Sequence, residues 1–103
     1  MEGLELAAFQ IISAVGIARS CYIEAIQKAK EGDFDGAKKL IGEGDEMFIE
    51  GHHAHSELLK KEAEGQTNVI QLIIIHAEDQ LMSAEGFKTI ALEFIDLYKR
   101  LKN

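Results

Sequence analysis

His76 and Asp79 are the residues best suited to chemistry, because they are polar side chains in an otherwise apolar stretch. That stretch opens with four consecutive apolar residues, Leu72 to Ile75, and continues to Met82. A neutral imidazole in such surroundings can act as a nucleophile, a metal ligand or a general base. Spacing alone favours a simpler interpretation, a hydrogen-bonded histidine in the core.

Asp79 falls on a third helical face, between Ile75 and Met82. This face is roughly 60° around the helix from His76. The apolar run from Leu72 to Ile75 covers a helix on all sides, which is more than two neighbouring helices can bury. The uncovered face, formed by Leu72, Ile75 and Met82, therefore predicts self-association with the third helix at the centre.

Burial in such an interface would bring Asp79 together with copies of itself. Like carboxylates repel one another and need shared protons or a cation, for which a divalent ion with oxygen ligands such as Mg²⁺ is suited. The alternative is an aspartate at the interface edge, paired with a lysine or reaching solvent.

A second group of candidates is the histidine cluster at His52, His53 and His55. His52 and His55 share a helical face, whereas His53 forms the single Glu-x-x-His pattern with Glu50. A di-metal carboxylate bundle needs two such patterns, and the cluster lacks the thiolates and spacing of a zinc site. We therefore predict neither kind of metal centre here.

Arg19 stands among apolar residues of the first segment. Its guanidinium either contacts a phosphate or carboxylate group, or pairs with an acidic residue of the second segment. Cys21 is predicted to be a small core residue, because nothing beside it would activate a thiolate. The sequence shows no glycine-rich phosphate loop, Ser-His-Asp arrangement or basic stripe.

The elements that must position these residues are three segments, about 3–31, 34–63 and 68–102. Glu31-Gly32-Asp33 and Glu64-Gly65-Gln66-Thr67-Asn68 separate them, each with a glycine suited to end a helix. Long helices with short connections predict an all-α fold, an antiparallel up-down-up three-helix bundle, as a single domain over 1–103. A β-strand at Leu72–Ile75 is the rival interpretation, but no segment offers a partner strand.

Apolar residues in each segment recur at alternating spacings of three and four, as on one face of a helix. In the first segment this stripe comprises Leu4, Ala8, Ile11, Val15, Ala18, Tyr22, Ala25 and Ala29. The third segment has two neighbouring stripes, one through Ile73, His76, Gln80, Ser83 and Phe87, the other through Ile74, Ala77, Leu81, Ala84, Ala91 and Ile95. The second segment carries Gly36, Gly42, Gly44 and Gly51, each costing up to about 1 kcal/mol against alanine, which close packing would explain.

Composition narrows the function classes. The 103 residues include 11 Lys+Arg and 18 Asp+Glu, for a net charge of −7, with no proline and one cysteine. The acidic balance argues against nucleic acid and anionic membranes as partners. A single cysteine excludes an internal disulfide, and no basic leader or apolar run of about 20 residues is visible, so we expect a cytoplasmic protein without direct membrane insertion.

The segment His76-Ala77-Glu78-Asp79-Gln80-Leu81-Met82 resembles the signature His-x-Gln-Asp-x-Leu-Met. That signature belongs to the lactose/cellobiose-type IIA proteins of the bacterial sugar phosphotransferase system. Ala18-Arg19-Ser20 and Ala29-Lys30-Glu31-Gly32-Asp33-Phe34 are similar to two further motifs of the family, and His52 falls where the family has a histidine in helix two.

The resemblance implies a homotrimer of three-helix subunits, a nine-helix bundle. It implies that His76 is the catalytic residue, a phosphohistidine site that accepts a phosphoryl group from the phosphocarrier HPr and passes it to a cysteine of the IIB component. Gln80, His52 and His55 are the expected neighbours of that site. Asp79 is expected to gather around a metal ion, Mg²⁺ or another divalent cation, on the trimer axis, with no nucleotide involved.

Three departures from the family pattern bear on the site. Glu78 replaces the usual glutamine, Gln80 replaces a common histidine, and His55 replaces a glutamine of helix two. The transported sugar is expected to be a β-disaccharide, cellobiose, chitobiose or lactose. Two other functions stay open, a non-catalytic helical adaptor and a metal-binding bundle built on the helix-two histidines.

Overall fold

The computed structural model describes residues 3–65 and 72–102 as three α-helices. Helix α1 spans Leu4–Lys30, α2 spans Phe34–Ala63 and α3 spans Leu72–Lys102. The predicted helical segments are confirmed for α1 and α2, whereas the predicted start of the third at 68 lies outside the described residues. Within the described ranges there is no strand, so the β interpretation of Leu72–Ile75 is wrong.

The turn between α1 and α2 has the predicted chemistry. Gly32 has a φ of +88°, in the left-handed region that glycine adopts without strain. The side chain of Asp33 then caps α2 by accepting a hydrogen bond of 2.9 Å from the backbone N–H of Gly36. The boundary between α1 and α2 was therefore predictable from residue types alone.

Helix α1 is the centre of the subunit, because it packs against both other helices while α2 and α3 touch each other little. The molecule is a rod with extents of 56 × 18 × 16 Å. The predicted α1 stripe is buried apart from Leu4, which is partly buried. On α3 the buried stripe is the one through Ala77, Leu81, Ala84, Ala91 and Ile95, and most of the subunit's buried side chains are alanines.

By length and composition alone, α1 is apolar enough to cross a membrane, contrary to the expectation from sequence. In the bundle, however, one of its faces is the core of the subunit. Several of its other apolar residues, including Leu6, Phe9 and Ile17, are exposed. The apolar character of α1 thus has two sources, an inner face and an outer one.

Two glycines of α2 are explained by close packing, as predicted. A Cβ built at Gly44 would lie 2.6 Å from the Tyr22 ring, and one at Gly51 would lie 2.5 Å from a methyl group of Val15. Both distances are well inside van der Waals contact. The glycines therefore let α2 approach α1 more closely than alanine would.

Polar side chains tie the helices together beside this contact. The buried Tyr22 donates a hydrogen bond of 2.7 Å to Asp45 on α2, and Lys88 of α3 reaches the same carboxylate at 3.0 Å. Burial and the hydrogen bond to Asp45 raise the pKa of the Tyr22 hydroxyl, which keeps it protonated as the donor. One carboxylate therefore joins all three helices.

We predict that Gly44→Ala destabilises the protein although it improves helix propensity. The added methyl must displace the Tyr22 ring, and overpacking of this kind costs about 1–3 kcal/mol. Gly42→Ala is the matched control, because a Cβ there meets open space and should stabilise the helix by up to about 1 kcal/mol. Denaturant unfolding of both variants measures the difference, and equal effects would contradict the packing argument.

Candidate functional site

His76 lies near the beginning of α3 and is exposed. None of the hydrogen bonds among residues 3–65 and 72–102 involves its imidazole. The core-histidine interpretation is therefore wrong for the single subunit. An exposed imidazole on a rigid helix is suited to attack a group presented from outside.

An exposed row of side chains lies beside His76 on α3. We call it the outer line and define it by the apolar residues Leu72, Ile75 and Met82 together with Asp79. Leu72 is 80% exposed, Ile75 54% and Met82 69%. These are the three residues that the sequence predicted to be left uncovered, and that prediction is confirmed. Large apolar side chains exposed in a row are typical of an interface.

Asp79 stands in the middle of the outer line and is exposed. No lysine pairs with it among the described residues. In the same part of the chain, no group of three or more His, Cys, Asp or Glu side chains is close enough to hold a metal ion. Asp79 alone offers too few ligands for a divalent cation, so a metal site would need carboxylates from further copies.

His52, His55 and Gln80, the expected neighbours of His76, are not joined to it by a hydrogen bond within the subunit. The Nε2 atom of His55 lies 2.5 Å from the Oε1 atom of Glu78 on α3. The ring of His52 lies 6.4 Å from that of Phe48, centroid to centroid. Gln80 is partly buried one helical turn after His76.

The contact between His55 and Glu78 was missed by sequence reasoning. Both residues were recognised as departures from the family pattern, but each was considered alone. The signal that could have found the contact is that an imidazole and a carboxylate replace glutamines at the same time. Such a joint change is expected where two side chains touch.

Arg19 does not pair with an acidic residue of α2, so that prediction is wrong. Its Nη1 atom donates a hydrogen bond of 3.3 Å to the Oγ atom of Ser83 on α3. Ser83 is seven residues after His76, which places both on nearly the same side of the helix. Arg19 reaches α3 rather than α2 because of the side of α1 on which it lies, and the periodicity did not identify its partner.

Cys21 is partly buried rather than a core residue, which corrects the prediction. Burial, reinforced by the negative charges of Glu43 and Glu24, raises the pKa of its thiol. The thiol therefore stays protonated near neutral pH, as expected for a cysteine that nothing activates.

A separate groove lies between α1 and α2, on a surface to which α3 contributes no residue. Its lining includes Phe9, Ile17, Ile49, Glu50 and His53. His53 is thus the histidine of the cluster that faces away from α3. The groove gives this histidine no connection with His76.

The fold and the position of His76 can now be compared with known proteins. The family model described as "PTS system, Lactose/Cellobiose specific IIA subunit" matches residues 6–99. The chain belongs to this family. It is therefore a IIA component of the lactose/cellobiose type, a phosphotransferase component of a sugar transport system.

Individual relatives agree over nearly the whole chain. The lichenan-specific phosphotransferase enzyme IIA component of Bacillus subtilis is 39% identical, covering 97% of this chain and 91% of the relative. The crystal structure of the cellobiose-specific enzyme IIA from Bacillus anthracis is 42% identical, with a TM-score of 0.94, and covers 99% of this chain and 94% of that one.

A further similar structure comes from a complex. It is the solution structure of the IIA(Chitobiose)–HPr complex of the N,N'-diacetylchitobiose branch of the Escherichia coli phosphotransferase system. The matched chain is 29% identical, with a TM-score of 0.85 and full coverage of both chains.

Proposed function

We propose that His76 accepts a phosphoryl group from phosphorylated HPr and passes it to a cysteine of the IIB component during uptake of a β-disaccharide. The observation that carries this proposal is the exposed imidazole at the histidine position of the family signature. HPr as the donor is supported by the complex of the Escherichia coli relative. The cytoplasm, where HPr and IIB would meet this chain, is the expected location.

In the proposed transfer, the His76 imidazole itself is the group that bonds to phosphorus. The unprotonated nitrogen of the His76 ring supplies its lone pair to phosphorus, while the bond from phosphorus to the donor breaks and its electron pair leaves with the donor. The other ring nitrogen keeps its proton. In the second step, the thiolate sulfur of IIB attacks phosphorus. The P–N bond breaks, and its electron pair returns to the His76 nitrogen.

The surroundings of His76 must stabilise negative charge, because the phosphoryl group is negative. Positioning and charge stabilisation dominate catalysis of this kind. Gln80, one turn along α3, is suited to donate hydrogen bonds through its amide, although it carries no positive charge. We propose His52 as a further neighbour, brought near a His76 by assembly rather than within one subunit, whereas His55, the other expected neighbour, is held by Glu78.

We propose that the helices run up, down and up and that three such subunits form a nine-helix trimer. The order of contacts supports the first part: Asp45 meets Lys88, and the later residue His55 meets the earlier residue Glu78. The outer line supports the second, because a closed ring of three copies would cover it around one axis.

In such a trimer, three Asp79 carboxylates would converge. Their oxygens are suited to Mg²⁺ or another hard divalent cation, which would offset the repulsion that otherwise opposes assembly. The ion's chemistry is the neutralisation of charge at the axis, and it takes no part in phosphoryl transfer.

The sugar is assigned only as a β-disaccharide, with cellobiose or chitobiose preferred over lactose. The relatives carry names of different sugars, and we propose that the membrane component of the system makes the choice. The alternative functions are a non-catalytic adaptor and a metal-binding bundle built on the helix-two histidines. The experiments below distinguish them from phosphoryl transfer.

We predict that phosphorylated HPr labels the wild-type chain and that His76→Ala reduces the label to background. The reason is that no other residue is expected to form the P–N bond. His53→Ala is the control, since His53 is an exposed histidine in the separate groove. Equal labelling of the wild type and His76→Ala would refute the proposal and leave the adaptor as the better explanation.

For the assembly, we expect sedimentation to give three copies at micromolar concentration. Met82→Lys places an ammonium in the outer line, and burying it unpaired should raise the dissociation constant by roughly a hundredfold or more. Leu92→Lys is the matched control, because Leu92 is an exposed apolar residue of α3 about 120° around the helix from the centre of the outer line. A stable wild-type monomer would contradict the trimer.

The proposed axial cation predicts that a chelator weakens the trimer and that Asp79→Leu abolishes this sensitivity. The substitution should also stabilise the assembly, because it removes buried like charges. Thermal unfolding with and without chelator measures both effects. If metal content survives Asp79→Leu but disappears in a His52→Ala/His55→Ala variant, the helix-two metal bundle is favoured instead.

A further inference from the structure

The bridge between His55 and Glu78 joins two helices that otherwise touch little. In the described part of the chain, α2 and α3 share two ion-paired side-chain contacts, this bridge and the one between Asp45 and Lys88. Glu78 is two residues from His76, whereas Lys88 is about three helical turns further along α3. The bridge is therefore the tie that lies at the same end of α3 as the proposed phosphorylation site.

Within one subunit, packing at that end of α3 is shallow and comes from Ile73 and Ile74, which lie against the core. Leu72, Ile75 and His76 are exposed, and Ile73 and Ile74 are partly buried. The first fully buried residue is Ala77, whose methyl group removes little apolar area from water. Within one subunit, the turn that carries His76 therefore lacks a deep apolar anchor, and the bridge adds a second contact that holds it.

The chemistry of the bridge is suited to holding the turn of α3 that carries His76. A carboxylate only accepts hydrogen bonds, so the Nε2 atom of His55 donates to Glu78. A hydrogen bond from an imidazole N–H to a carboxylate is charge-assisted, and bonds of this kind are stronger than neutral ones. The His55 side chain is 15% exposed and that of Glu78 is 40% exposed, so the imidazole is shielded from water while the carboxylate reaches the surface.

We propose that His55 and Glu78 act as one positioning device for His76. This inference rests on the proposed function. Glu78 projects from the opposite side of α3, so the bridge acts through the helix backbone, fixing the rotation of the first turns relative to α2. In line attack on phosphorus depends on that rotation, because small misplacements of a nucleophile slow transfer strongly.

A neutral bridge between the same two positions is chemically possible. Two glutamines are able to form a neutral bridge, in which an amide N–H of one donates to the carbonyl oxygen of the other. An imidazole and a carboxylate form an ionisable version of the same bridge.

The test is single-turnover transfer from phosphorylated HPr to intact trimers of His55→Ala, Glu78→Ala and the double alanine variant. Each single variant should slow transfer by about tenfold to about a hundredfold. The double variant should be no slower than either single one, because the first change already breaks the bridge. The double variant His55→Gln/Glu78→Gln should recover most of the wild-type rate.

Lys88→Ala is the matched control, since it breaks the other contact between α2 and α3 far from His76. It should lower the unfolding temperature while leaving the transfer rate within about twofold of wild type, because the turn that carries His76 stays in place. Hydrogen exchange of the amides of residues 73–80 should accelerate in His55→Ala and stay unchanged in Lys88→Ala.

Wild-type transfer rates in both single alanine variants would overturn this inference while leaving the proposed function standing. Equal slowing by Lys88→Ala, or unchanged exchange in His55→Ala, would overturn it as well, since either result points to general stability. Failure of phosphorylated HPr to label the wild-type chain would instead refute the proposed function, on which this inference rests.

Discussion

The distance between the helices is set by small residues, and much of the molecule follows from that constraint. Alanines make up most of the buried core, and Gly44 and Gly51 bring α2 still closer to α1. Such packing gives dense contact between backbones but buries little apolar area per residue. Many of the larger apolar side chains, among them Phe9, Ile49 and Met82, are exposed.

The same constraint shapes the environment of His76. Because α1 occupies the middle of the rod, α2 and α3 meet mainly through polar side chains at their edges. The site is consequently not a pocket within the subunit. His76 is presented on a helix surface, which suits the proposed transfer between two protein partners.

The sequence predicted the parts of this structure that depend on periodicity and on local turn chemistry. The α1 stripe, the glycine at position 32 and the exposure of Leu72, Ile75 and Met82 follow from spacing and residue type, and the structure agrees. Periodicity identifies a face but not what lies opposite it. For that reason Arg19 was given the wrong partner, Cys21 was placed too deep, and the contact between His55 and Glu78 went unrecognised.

The two contacts between α2 and α3 also fix the register of these helices. They lie ten residues apart on α2, at 45 and 55, and ten residues apart on α3, at 78 and 88. Equal spacing means that both contacts form in one alignment and that sliding one helix by a single turn breaks both together. A residue inserted into either helix between the contacts would put them out of step, whereas lengthening the connection between the helices would leave them matched.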